Sequence, residues 1–190
     1  MKTPDTTSDM TPPARQRILD AAHELFYREG IRATGIDRVI AESGFTKVTF
    51  YRHFPSKNDL IRAYLEHRHT YWMSWFEAAL ERHGGRASGP AALLPALAEW
   101  FADGGYRGCA FINAVVELGG SQPDILAIAR RHKSDMTATI AALLPSRSGG
   151  IEIARAIAMM VDGAIVQAQR DGVPEPALEN LAVGLQHLFR

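Results

Sequence analysis

The run from Thr34 to Lys57, TGIDRVIAESGFTKVTFYRHFPSK, limits what this chain can fold into more than any other stretch. Ile36, Val39 and Ile40 recur at helical spacing, and Ser43-Gly44 then breaks the pattern. A second short helix is expected from about Lys47 to His53, burying Phe50 and Phe54, with Phe45 entering from the turn. Pro55-Ser56 marks the next boundary. The second helix carries Lys47, Thr49, Tyr51, Arg52 and His53 and no acidic residue. A short helix with a basic, hydroxyl-rich and aromatic surface suits the major groove of DNA.

Charge supports that reading only through its distribution. The net charge of the 190-residue chain is zero. Residues 1–69 hold eleven Lys and Arg against nine Asp and Glu, and residues 70–190 hold ten against twelve. The window 44–57 has Lys47, Arg52 and Lys57 and no acid, so positive charge is focused at the suspected DNA face. Nonspecific affinity should be modest, leaving base contacts to supply much of the selectivity.

The rest of the chain reads as helix, with 46% hydrophobic residues to fill a core. Ile18, Ala21, Ala22, Leu25 and Phe26 form one buried face of a first helix, closed by Gly30. Thr34 with Asp37 makes a capping-box-like pair, repeated by Ser56 and Asp59. The latter pair starts a long helix to about Arg82, roughly 39 Å at 1.5 Å per residue. A loop is expected from Gly84-Gly85 to Gly89-Pro90. Helices follow over Pro90–Asp103, Gly108–Leu118, Ser121–Leu144, Ile151–Arg170 and Pro176–Leu188. The expected fold is all-α with nine helices. The first ten residues lack the apolar core of a secretory signal, and no stretch approaches the roughly 20 apolar residues of a membrane span. One cysteine, Cys109, excludes an intramolecular disulfide, and a cytoplasmic location without membrane attachment is expected.

The N-terminal third resembles the TetR family of bacterial transcriptional regulators. The resemblance rests on RILDAAHELFYREG (17–30), ATGIDRVIAESG (33–44) and TKVTFYRHFPSKNDLI (46–61). It implies a flexible arm (1–13), a three-helix helix-turn-helix domain (14–56) and a helical bundle for ligand binding and dimerisation (57–190). It further implies a homodimer on double-stranded, near-palindromic operator DNA, acting as a repressor relieved by a small apolar or aromatic effector. Carried over by position, Lys47, Val48 and Thr49 face base edges, Tyr51, His53 and Lys57 hold phosphates, Arg52 belongs to the same surface, and Thr34 meets a phosphate or caps its helix. Gly35 stands where the family often has Ser or Thr, and Val48 where a small residue is common, which lets Val48 touch a thymine methyl.

In the body, Trp72, Trp75, Phe76, Trp100, Phe101, Tyr106 and Phe111 read either as core or as the lining of an apolar cavity. Asn113, Glu117, His132 and Asp162 lie in or beside apolar helical stretches and need partners, which a ligand, a neighbouring helix or water can supply. Met136, Met159 and Met160 either line an adaptable pocket or fill gaps. Cys109 follows Arg107-Gly108 at a helix start, a setting that favours thiolate and a redox sensor, against the alternative of a small buried thiol. Ile157, Val161 and Ile165 with Leu178, Leu181 and Leu185, spaced by alanines, suggest half of an intermolecular four-helix bundle, or else internal packing. His67 and His69 point in different directions on a helix and make a poor metal pair, so neither metal nor cofactor is expected.

No Gly-x-Ser-x-Gly, His-Glu-x-x-His, phosphate loop or paired-cysteine motif is present, which argues against an enzyme. The competing reading is a helical adaptor, or a ligand-binding protein, without DNA-regulated output. The basic segment weighs against it.

Overall fold

The computed structural model describes residues 13–145 and 150–189. These form helices α1 (Ala14–Glu29), α2 (Ile36–Ser43), α3 (Lys47–His53), α4 (Lys57–Arg82), α5 (Gly85–Ser88), α6 (Leu93–Phe101), α7 (Ala110–Leu118), α8 (Pro123–Ala142), α9 (Gly150–Asp171) and α10 (Glu175–Leu188). α5 is a single turn; the other nine match the expected count, and among the described residues there is no strand. The expected loop between α4 and α6 is instead α5 followed by a 3₁₀ turn, Gly89–Ala92. The expected arm lies outside the described residues except for Pro13. No described helix is long and apolar enough to cross a membrane.

Helices α1 to α3 pack around Ile18, Leu25, Phe26, Val39, Phe50 and Phe54, all buried. The turn between α2 and α3 depends on Gly44, whose φ of 72° is left-handed and strained for any residue with a Cβ. Arg17 of α1 braces it, donating to the Ser43 carbonyl at 3.3 Å while lying over the Phe45 ring. Ser56 caps α4 by accepting from the Asp59 N–H at 3.1 Å, as the sequence suggests.

The parallel expectation for Thr34 fails. Gly35 is the N-cap of α2, without a side-chain cap. Thr34 is fully buried and donates its hydroxyl to the Gly30 carbonyl at 2.8 Å, tying the α1–α2 link together. A buried, committed hydroxyl cannot meet a phosphate, so Thr34 leaves the set of DNA contacts. Gly35 has ordinary extended backbone and nothing within 4 Å of where a Cβ would sit, so the fold does not require glycine there.

α4 runs from this N-terminal unit into the body, packing against α1, α6, α7 and α8. α9 lies between α8 and α10. Ile157, Val161, Ile165, Leu181 and Leu185 are buried within the single chain, and Leu178 is half-buried against the same core. Their assignment to a dimer interface is therefore corrected. Their stripe satisfies the chain's own core, because a helix covered on one side by α8 and α10 must turn its most apolar face inward. The outer face of the α9–α10 pair instead exposes Met159 (71%), Val166 and Val183.

Candidate functional site

α3 is set out from the N-terminal unit by its two phenylalanines. Phe50 and Phe54 point in, which leaves Lys47, Val48, Tyr51 and Arg52 exposed, with Thr49 and His53 half-exposed. Val48 is 79% exposed, a large apolar side chain left largely uncovered by the described residues. Tyr51 stands edge-on to Phe50, with ring centroids 5.3 Å apart, so its ring is steadied from beneath. Thr46, absent from the residues singled out by sequence, caps α3 by accepting from the Thr49 N–H at 3.2 Å. The hydroxyls of Thr46 and Thr49 are 3.1 Å apart and join the same outer surface.

Two of the cations expected to serve this face are already engaged. Lys47 Nζ is 3.1 Å from Asp37, an acid that lies outside the basic window in sequence and is delivered to it by α2. Lys57 donates to the Ile31 carbonyl at 2.7 Å and sits over the Phe26 ring. Burial lowers the Lys57 pKa, and the nearby Glu117 carboxylate acts in the opposite direction. Lys57 therefore anchors the start of α4 to the α1–α2 link, and its expected hold on a phosphate is corrected.

The body contains a cavity of about 290 Å³ between α1, α4, α6 and the loop after α6. Trp72, Trp75, Trp100 and Tyr106 make its aromatic wall. The ring centroids of Trp72 and Trp100 are 5.4 Å apart, and those of Trp100 and Tyr106 are 5.2 Å apart. Phe76 stacks on Trp72 at 4.6 Å and is core behind the wall. α1 contributes His23 and Tyr27, and α4 adds Arg68 and Tyr71. None of these four was singled out from the sequence, since three helices must meet before they share a surface.

The chain can now be set beside known proteins. The family model for bacterial regulatory proteins of the tetR family matches residues 18–64. An HTH-type transcriptional regulator from Lactococcus lactis, itself uncharacterized, is 26% identical over 80% of this chain and 81% of its own length. The crystal structure of a TetR-family transcriptional regulator from Streptomyces coelicolor superposes with a TM-score of 0.81 at 32% identity, covering 95% of this chain and 92% of that one. The chain belongs to the TetR family. It is a DNA-binding transcriptional regulator with a helix-turn-helix, and its work is binding, not catalysis. The multidrug binding protein EbrR, solved in complex with malachite green, shares the fold at a TM-score of 0.71 and 24% identity over 93% of this chain and 98% of its own.

Several expected ligand contacts of this TetR-family regulator lie away from the cavity. Phe111 and Met136 are core, and His132 stacks on Phe111 with centroids 3.7 Å apart. Burial, with Lys133 and His69 adding to it, lowers the His132 pKa to about 2, so the ring is neutral. Asp162 pairs with Lys133 at 2.5 Å. Asn113 donates to the Arg107 carbonyl at 3.0 Å, and Glu117 accepts from the Arg32 N–H at 2.7 Å. Both line a smaller cavity of about 170 Å³. Cys109 is a buried free thiol facing Lys133, and burial denies an oxidant direct access to it. The partners that these polar groups need are therefore protein groups.

Those partners tie the DNA-reading unit to the body. The Tyr27 hydroxyl donates to the Gly108 carbonyl at 2.9 Å and accepts from the Arg107 N–H at 3.0 Å. Burial raises its pKa and keeps the phenol protonated for that role. Glu117 reaches from α7 to the α1–α2 link, and Arg62 of α4 pairs with Asp124 of α8 at 2.6 Å. Tyr27 also lines the large cavity, so one side chain touches the cavity and the joint between the units.

Proposed function

We propose that this regulator is a cytoplasmic homodimeric repressor whose hold on a near-palindromic operator is relieved by a small apolar or aromatic molecule in the cavity between α1, α4 and α6. The carrying observation is that this cavity is walled by α1, a helix of the DNA-reading unit, and by α4, which belongs to both units. A molecule that enlarges the cavity pushes directly on the element that orients α3. The complex of EbrR with malachite green gives an instance of an aromatic ligand on this fold. By linkage, a hundredfold loss of operator affinity needs only about 2.7 kcal/mol of differential ligand binding between the two arrangements.

On DNA, Lys47, Val48 and Thr49 read base edges, while Thr46, Tyr51, Arg52 and His53 hold the backbone. Two copies meet through the outer face of α9 and α10, where Met159, Gly163 and Val166 line up along α9 beside Val183 of α10. The half-site spacing follows from two heads on one dimer, roughly one helical turn of 34–36 Å or somewhat more. Selection of bound sequences from a random DNA pool tests the reading: an inverted repeat is expected, and recovery of no motif overturns it. On the selected site, Tyr51→Phe should weaken binding to all sequences, and Lys47→Ala should also relax base preference. Val183→Asp should shift the chain toward monomer in analytical ultracentrifugation; an unchanged dimer removes this face from the interface.

A further inference from the structure

The cavity holds a buried charge with no counter-ion. Arg68 is 6% exposed, and among the described residues no carboxylate lies within 4.0 Å of its guanidinium. Among the described residues its one side-chain hydrogen bond runs to His23 Nε2 at 3.3 Å. Arginine has donors only, so His23 Nε2 must accept, which places the imidazole proton on Nδ1, 3.6 Å from Glu24. Burial, and then the Arg68 charge, lower the His23 pKa and keep the ring neutral, so it does not offset the guanidinium. The Tyr27 and Tyr71 rings flank Arg68 at 4.1 and 5.7 Å from their centroids, contacts that orient a cation without neutralising it. A guanidinium in such a place is costly unless something pairs with it.

Of the three carboxylates on the cavity wall, two are engaged with neighbouring groups and one is turned to solvent. Glu99 holds Arg82 at 2.5 Å and His83 at 3.3 Å. Asp103 accepts from the Gly105 N–H at 2.6 Å, and Glu24 is exposed beside His23. Trp72, which is also in the wall, is buried, and among the described residues its indole Nε1–H has no partner. Arg68 and Trp72 thus both present donors in an aromatic wall.

We infer that the cavity takes an anion, an aromatic or fused-ring carboxylate whose oxygens pair with Arg68 while its rings lie against Trp72, Trp75 and Trp100. This rests on the effector reading above and narrows its chemistry. Carboxylate matches the site because it offers acceptors only, in a geometry that a guanidinium binds through two parallel N–H groups. A cationic ligand of the same shape meets the Arg68 charge at close range, where among the described residues no carboxylate lies within 4.0 Å of the guanidinium to offset it. A neutral amide brings no charge to pair with Arg68.

Titration calorimetry on the full chain with naphthoate, naphthamide and naphthylmethylammonium tests this. Naphthoate should bind at least about tenfold tighter than the other two, the ratio expected of a desolvated charge-assisted pair. Arg68→Gln should remove that preference, and Arg68→Lys should restore part of it. Circular dichroism checks that each variant is folded; if Arg68→Gln is not, the wild-type ranking and Arg68→Lys decide. Equal binding of the three probes, binding of none, or a preference that survives Arg68→Gln overturns the anion site. Operator release is read separately by fluorescence anisotropy. Naphthoate that binds through Arg68 and leaves DNA bound upholds the anion site and overturns the effector reading. Release by naphthamide as readily as by naphthoate does the reverse.

Discussion

The outer surface of α3 and the cavity behind it use cations in opposite ways. On α3 the charged and hydroxyl groups stand in water, where holding a charge costs little, and the apolar side chains beneath them supply rigidity. In the cavity the aromatic rings form the surface, and the cation Arg68 is enclosed among them. The first arrangement suits a partner that brings its own dense negative charge and is bound through many shared contacts. The second suits a small partner that must satisfy one enclosed group and is rejected if it cannot. The comparison also shows where each region is vulnerable: the DNA face through the core that supports it, the body through titration of what it buries.

The largest expected effect comes from that support. Phe50→Ala empties the fully buried position under α3 and should cost about 3–5 kcal/mol, read as a lower melting temperature together with loss of gel-shift activity. An unchanged melting temperature would show that α3 is not part of the cooperative unit.

The body's counterpart is pH. The His132 pKa is about 2 in the folded chain against its ordinary value of 6.5, because of burial first and neighbouring cations second. The stability it contributes is fully present above pH 6.5 and falls as pH drops toward the folded value, by about 1.4 kcal/mol per unit. From pH about 6.5 to about 5 that is a loss of about 2 kcal/mol, measured by denaturant unfolding. His132→Phe should flatten this part of the profile; an identical slope in the variant would assign acid sensitivity to other groups.

Gly44→Ala forces a Cβ into the left-handed turn between α2 and α3 and should cost about 1–2 kcal/mol. Gel shifts should weaken at the same time, since this turn sets how α3 stands. The smallest change concerns only the DNA face. Asp37→Asn frees Lys47 from its exposed partner, so affinity should rise modestly and the salt dependence of binding should steepen, with no change in melting. An unaltered salt slope would show that the pair already opens when DNA binds.

Helix count, the helix-turn-helix and its outward residues were legible in the sequence because they follow local rules. Apolar periodicity marks which face of α1 or α3 turns in, and Gly44 and Ser56 punctuate the chain through their own backbone chemistry. The errors came where one signal serves two outcomes. Thr34 reads as a cap and proves to be a buried hydroxyl. The leucine and isoleucine stripe of α9 and α10 reads as a dimer seam and proves to be core, since periodicity shows that a face is buried and not what buries it. Lys57 looked free because its acceptor, the Ile31 carbonyl, is 26 residues away in sequence.

The sequence by itself determined the family, the all-helical fold and the residues that α3 turns outward, because each depends on spacing within one helix or one turn. Only the tertiary structure decided that Asp37 sits beside Lys47, that three tryptophans share one cavity, and that Arg68 is enclosed there with no carboxylate within 4.0 Å among the described residues. Burial and pairing belong to groups brought together from different helices, and no single stretch of chain carries that information.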